Sequence, residues 1–244
     1  MSEKSLTETV LLSKERQQEI KARIDDIRKN INKSAVQSPY HQTPRLLLAT
    51  KTRTPEEINY ALSLGVDLIG ENRVQELLMK YDRIDPCAHI HFIGALQTNK
   101  VKYIIDKVEM IESLDRLSLA AEIDKQAAKI GKVMDVLVEV NVGKEASKSG
   151  VMPEDLENFV ESLADFHNIR LCGLMSIPPN TTDLEQKKQY FQKIMDLYID
   201  ISTKKIDNSA MTTLSFGMSS DYALAVMCGS TIVRVGTAAF GERV

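Results

Sequence analysis

The amino-acid sequence predicts an α/β fold: a single (β/α)8 barrel of parallel strands with an additional N-terminal helix. Beyond residue 44, eight short apolar or β-branched runs alternate with seven helical patterns. Strict strand–helix alternation makes a parallel sheet, and eight repeats close a barrel. A doubly wound open sheet is the runner-up. Against it, the first strand-to-helix turn, Lys51-Thr-Arg-Thr54, lacks the glycines of a dinucleotide-binding turn.

The elements follow in order. Residues 5–33 read as an amphipathic helix, with Leu12, Ile20, Ile24, Ile27 and Ile31 at helical spacings. Residues 34–44 carry two prolines and no apolar period, which predicts a loop. Strands are expected at 45–51, 67–72, 89–94, 110–114, 134–142, 169–175, 212–217 and 231–236. Helices are expected at 55–65, 73–81, 97–107, 115–131, 154–166, 183–205 and 219–229. Thr54-Pro55-Glu56-Glu57 offers a cap, a first-turn proline and first-turn acids, and Met152-Pro153-Glu154-Asp155 is similar. Residues 1–244 thus read as one barrel domain without an internal linker, residues 1–33 forming its leading helical region.

Composition excludes several classes. With 31 basic against 34 acidic residues the net charge is −3, so no basic face for nucleic acid is expected. No apolar run approaches the ~20 residues of a membrane helix. Cys87, Cys172 and Cys228 are odd in number and far apart, which predicts neither a disulfide framework nor a CxxC metal site. The N-terminus carries an early Glu3 and no apolar core of a secretory signal, so a cytoplasmic location is expected.

In such a barrel, chemistry gathers at the carboxyl ends of the strands. Lys51 ends strand 1, Asn72 strand 2, Asn141 strand 5 and Met175-Ser176 strand 6. Lys51 emerges from a buried run. As a lone lysine it reads as a rim ammonium in water; partly desolvated, it would be an amine able to attack an aldehyde. The far side of the mouth shifts that balance. Gly217-Met-Ser219-Ser220 opens a helix after strand 7, and Gly236-Thr237 follows strand 8, so two adjacent turns offer N–H and hydroxyl donors to a phosphate. Singly, each is an ordinary capped helix or turn. Arg234 lies in an apolar strand and needs an acceptor, either a carboxylate such as Glu71 or Glu139 or a ligand ring nitrogen. An amine, an anion cup and a placed cation match the aldehyde, phosphate and pyridine nitrogen of pyridoxal 5′-phosphate. A cofactor-free barrel binding a sugar phosphate, with Lys51 as an aldolase-type amine, is the bland competitor.

Seven stretches carry a resemblance. They are Ala49-Thr-Lys-Thr52, Gly70-Glu-Asn-Arg-Val-Gln-Glu76, His91-Phe-Ile-Gly-Ala-Leu-Gln-Thr-Asn-Lys100, Val140-Asn-Val-Gly-Lys-Glu-Ala-Ser-Lys-Ser-Gly-Val151, Gly173-Leu-Met-Ser-Ile-Pro178, Leu214-Ser-Phe-Gly-Met-Ser-Ser-Asp221 and Val233-Arg-Val-Gly-Thr-Ala-Ala-Phe-Gly241. In this order, over roughly residues 10–243, the chain resembles the pyridoxal phosphate homeostasis proteins, whose fold is that of the alanine racemase N-terminal domain. The resemblance implies Lys51 as the Schiff-base lysine and Arg234 as partner of the pyridine nitrogen. It also implies Ser219, Gly236 and Thr237 as phosphate ligands, with Asn72 and Met175 lining the cofactor face. Phe216 departs from the family, which commonly has Met there.

The expected role is intracellular vitamin B6 homeostasis without turnover, by a monomer that binds no metal, with apoenzymes requiring the cofactor as further partners. An amino-acid racemase or lyase is the alternative. Two features favour the carrier. An arginine opposite the ring nitrogen disfavours its protonation and weakens the electron sink, and no tyrosine stands at an expected strand end. The eighth strand is also expected to leave no residues for a second domain. His91, inside strand 3, reads as a satisfied barrel histidine below the rim.

Overall fold

The computed structural model describes residues 12–242. The leading helix α1 (Lys14–Gln37) starts where the Ser13 side chain accepts the Arg16 N–H at 3.2 Å. It buries Ile20, Ile24, Ile27 and Ile31, the expected apolar face. The expected segment 5–11 lies outside the described residues. At its other end α1 runs on to Gln37 rather than stopping at residue 33. Nothing in Ser34-Ala-Val-Gln37 breaks a helix, whereas Pro39 drives Ser38 into the extended region (φ −73°, ψ 132°).

Eight parallel strands follow: β1 (Arg45–Ala49), β2 (Leu68–Glu71), β3 (His89–Phe92), β4 (Met110–Leu114), β5 (Met134–Glu139), β6 (Ile169–Met175), β7 (Ser209–Ser215) and β8 (Ile232–Val235). Each pairs with its neighbours in chain order, and β8 closes onto β1, giving a TIM barrel. Several ends differ from expectation by one to three residues. β5 stops at Glu139 because Val140 pairs instead with Val151, and the chain turns through Lys144 at φ +54°.

Between the strands lie α2 (Pro55–Ser63), α3 (Val74–Lys80), α4 (Leu117–Lys129), α5 (Leu156–Ser162), α6 (Leu184–Ser202) and α7 (Tyr222–Met227); α8 (Thr237–Phe240) follows β8. Two expectations need correction. Residues 97–107 form no α-helix: Thr98–Tyr103 winds as a 3₁₀ turn. Their apolar spacing is real, since Val101, Ile104, Ile105 and Val108 are buried, but tight winding satisfies it without an N-terminal side-chain cap. The helix expected from 219 begins at Tyr222, because Met218–Asp221 closes a turn first.

Alternation along the strands sorts the core. Leu48 and Ile69 join the large outer core between sheet and helices, which includes the apolar face of α1. Their neighbours Leu47 and Leu68 pack with Ile93 and Ile232, and Met110, Leu137, Cys172 and Met175 form a separate cluster. A barrel interior is ordinarily filled by layers of apolar side chains. Here the strands also bury polar residues, among them His91, Glu112, Ser215 and Arg234.

Candidate functional site

A cleft of about 340 Å3 opens at the carboxyl ends of the strands, within the range of small-molecule sites. Lys51, Asn72, Ser219, Arg234, Gly236 and Thr237 all line it, joined by Arg53, Ile93, Ile177 and Met218. Six of the seven residues singled out in the sequence therefore share one wall system. Met175 does not. It is fully buried and packs on Met110, Leu137 and Cys172, because its side chain follows the strand alternation into the barrel rather than the rim.

Lys51 sits in the turn that ends β1. The next residue, Thr52, holds φ +67°, a costly value for a β-branched residue, and its N–H donates to the Glu76 carboxylate. Such strain concentrates where a neighbouring side chain must be aimed. Arg53 donates to the Gly241 carbonyl at 2.7 Å and lies over the Phe240 ring. Asn72 is braced from below: a Cβ on Gly94 would come within 2.2 Å of the Asn72 carbonyl oxygen, so only glycine permits that approach.

Across the mouth, Gly217 takes φ +92°, which turns the chain after β7. Ser219 Oγ accepts the backbone N–H groups of Gly236 and Ala238 at 3.1 and 3.2 Å. The two turns expected to gather donors are thus in contact. The Met218 N–H is already taken by the Asp221 carboxylate at 2.7 Å, and Asp221 pairs with Lys187 at 3.3 Å. The Gly236 N–H is likewise held by Ser219 Oγ, so the hydroxyls of Ser219 and Thr237 are the side-chain donors on this side of the cleft.

Arg234 is 4% exposed, its guanidinium donating to Ser215 Oγ at 2.6 Å and to the Ser176 carbonyl at 3.0 Å. Its carboxylate partner is neither Glu71 nor Glu139, the expected ones, but Glu112, 3.9 Å away. Glu71 is engaged elsewhere, by Lys80 at 2.7 Å and by the Thr50 hydroxyl. Glu112 is wholly buried; one oxygen meets His91 Nδ1 and the other the Ser215 hydroxyl, both at 2.7 Å. Burial would push the Glu112 carboxyl up, but His91, Arg234 and Ser215 together hold it below the usual carboxylate range. Burial draws Arg234 down against the charges of Glu112, Glu139 and Asp221. His91 is thus a satisfied buried histidine.

Sequence reasoning missed Glu112 and Ser215. The signal was there: Glu112 shares the inward parity of Met110 in the strand Met110-Ile-Glu-Ser-Leu114, where a buried charge requires a partner. The sequence offers Glu139 only as a counter-ion. Burial, reinforced by Asp115, raises its carboxyl to about 7. Among the described residues, no three His, Cys, Asp or Glu side chains gather as a metal group.

Comparisons with known proteins bear on the family and the fold. The family model for the alanine racemase N-terminal domain matches residues 23–244. A pyridoxal phosphate homeostasis protein of Aquifex aeolicus (strain VF5) is 48% identical over 200 residues, covering 82% of this chain and 87% of the relative. A protein of unknown function from Bifidobacterium adolescentis superimposes with a TM-score of 0.86 at 32% identity, over 94% of this chain and 98% of the other. PipY of Synechococcus elongatus PCC7942, solved with pyridoxal phosphate bound, gives 0.80 at 28% identity over 91% and 100%. On these grounds the chain belongs to the pyridoxal phosphate homeostasis protein family, built on the alanine racemase N-terminal domain.

Proposed function

We propose that this protein binds pyridoxal 5′-phosphate in the strand-end cleft and serves intracellular vitamin B6 homeostasis without turning over a substrate. The observation that carries the reading is that Lys51, Arg234, Ser219, Gly236 and Thr237 line one cleft of about 340 Å3. Bound there, the cofactor supplies an aldehyde carbon and a conjugated ring that absorbs visible light. The Lys51 amine condenses with that aldehyde, forming a C=N bond and releasing water. Ser219, Gly236 and Thr237 hold the phosphate, Asn72 flanks the ring, and Arg234 donates to the ring nitrogen. Met175, sealed in the barrel, is left out of this contact set.

Two features support a carrier over an enzyme. A guanidinium held charged beside Glu112 keeps the ring nitrogen unprotonated. The lining of the cleft contains no tyrosine, histidine or carboxylate among the described residues to exchange protons with a carbon acid. We take the carrier to be cytosolic and monomeric, delivering to apoenzymes that require the cofactor. The cysteines support a reducing compartment, all three being free thiols. No helix of the described residues is long and apolar enough to cross a membrane.

The test is the visible spectrum of the freshly purified protein, followed by borohydride reduction and peptide mass mapping. The expected result is a yellow protein, bleached by borohydride, with the added mass on residue 51. Lys51→Ala should lose the visible band while the phosphate donors keep weaker binding. An unmodified residue 51 would overturn the Schiff-base assignment, and many turnovers with L- or D-amino acids would overturn the carrier reading.

A further inference from the structure

The turn that carries Lys51 is gripped on both sides by one short helix. Thr50 to Arg53 closes a β-turn, the Arg53 N–H donating to the Thr50 carbonyl at 3.0 Å. Its third residue, Thr52, has φ +67°, a conformation that glycine or asparagine ordinarily supplies. Glu76 and Lys80 of α3, one helical turn apart, reach this segment together. The Glu76 carboxylate accepts the Thr52 N–H, on the far side of Lys51. The Lys80 ammonium donates to the Thr50 carbonyl at 2.8 Å, on the near side. The two side chains also pair with each other at 3.2 Å. Lys80 is 5% exposed, and Glu71 at 2.7 Å is its third partner, so every ammonium proton has an acceptor. A lysine is buried that deeply only when its charge is paired, and this pairing converges on the backbone beside one residue.

We infer that Glu76 and Lys80 are positioning residues: as one ion pair they clamp the turn so that the Lys51 side chain leaves it in a single direction, toward the strand-end cleft. Their effect on cofactor attachment rests on the reading that Lys51 carries the cofactor. Unheld, a β-branched residue leaves the left-handed region for the extended one, and the peptides on either side of Lys51 turn with it. The amine, at the end of a four-carbon stem, would then be displaced although neither Lys51 nor the cleft lining had changed. Neither Glu76 nor Lys80 lines the cleft, so both act through residue 51 rather than on a ligand. The clamp therefore governs how fast a held aldehyde meets the amine. It does not govern how tightly the phosphate is held, because Ser219, Gly236 and Thr237 lie beyond β7 and β8.

The test compares full-length wild type with Glu76→Ala, Lys80→Met and the double variant Glu76→Ala/Thr52→Gly. Binding of pyridoxine 5′-phosphate, which has no aldehyde, reports holding alone. Stopped-flow growth of the visible band at saturating pyridoxal 5′-phosphate reports condensation. Glu76→Ala and Lys80→Met should slow the band by about 100-fold, while pyridoxine 5′-phosphate binds within about twofold of wild type. Adding Thr52→Gly to Glu76→Ala should recover part of the rate, since glycine adopts a positive φ without being held there. A merely structural role would weaken both readouts together. Equal condensation rates in wild type and Glu76→Ala, or analogue affinity falling in step with the rate, overturns the proposal. Should Lys80→Met fail to fold, Glu76→Ala, at a partly exposed position, still decides. Hydrogen exchange at the Thr52 amide of cofactor-free protein separates the clamp from the anchor. Protection lost there in Glu76→Ala, with the Val140 amide of β5–β6 unchanged, supports the clamp even where borohydride leaves residue 51 unmodified, a result that overturns the Schiff-base reading alone. Protection that Glu76→Ala leaves intact overturns the clamp.

Discussion

Arg234 keeps its place because four groups agree on it: Ser215, Ser176, Glu112 and, through Glu112, His91. Breaking a buried pair by removing one partner leaves an uncompensated charge. Glu112→Gln should therefore cost about 3 kcal/mol in urea unfolding at pH 7. Because the folded protein holds Glu112 below its ordinary value, this stabilisation is full above that value and is lost as pH falls through the folded one. The wild type should accordingly lose more stability than Glu112→Gln below about pH 4.5. Glu139 runs the other way. Its raised carboxyl gives stability that is full below the unfolded value and is lost as pH rises toward 7. Glu139→Gln should thus be more stable than wild type at pH 8, by up to roughly 3 kcal/mol, with the gain shrinking toward pH 5. Parallel urea titrations at the two pH values check this. The site was legible where a residue type and a strand end coincided, as at Lys51 and Arg234. It was illegible at Glu112, whose meaning depends on β4 and β7 facing each other across the barrel, a relation that spacing along the chain does not carry.

At the scale of elements, legibility followed the strength of local signals. The amino end of α2 was readable because Thr54, Pro55 and Glu57 announce it. In the fold, Thr54 Oγ1 accepts the Glu57 N–H at 3.3 Å and the Glu57 carboxylate accepts the Thr54 N–H at 3.2 Å. Glu57 also receives the Arg16 guanidinium, with Nε at 2.9 Å, so the same box ties α2 to α1. Thr54→Ala should lower stability by about 1 kcal/mol, read as a shift in the urea midpoint with an unchanged slope. The stretch 97–107 offered an apolar period without a cap, and period alone cannot separate an α-helix from a 3₁₀ turn. Where β5 ends was equally hidden, because the Val140–Val151 bridge depends on a partner eleven residues away.

The barrel as a whole has an uneven seam. The β1–β8 pair aligns four residue pairs, from Arg45 with Ile232 to Leu48 with Val235, whereas β7 and β8 align at Ser215 and Ile232 alone. Backbone bonds from Thr231 and Arg234 to Leu214 and Gly217 flank that pair, and the buried Ser230 hydroxyl lies 2.8 Å from the carbonyls of both Phe216 and Ile232. The cleft residues come from both sides of this seam, Ser219 following β7, Arg234, Gly236 and Thr237 on or after β8, and Lys51 beyond β1. A ligand held by all of them would fasten the seam from above. Binding to the folded state alone stabilises it by about 2.7 kcal/mol at a hundredfold excess over Kd. For a chain of this size that corresponds to roughly 5–10 °C in Tm. Pyridoxal 5′-phosphate should raise the Tm by that amount and slow hydrogen exchange first at the β7–β8 amides, Thr231 and Arg234, which donate to Leu214 and Gly217. A rise in Tm with protection spread evenly around the barrel would mean the ligand stabilises the fold without engaging both sides of the seam.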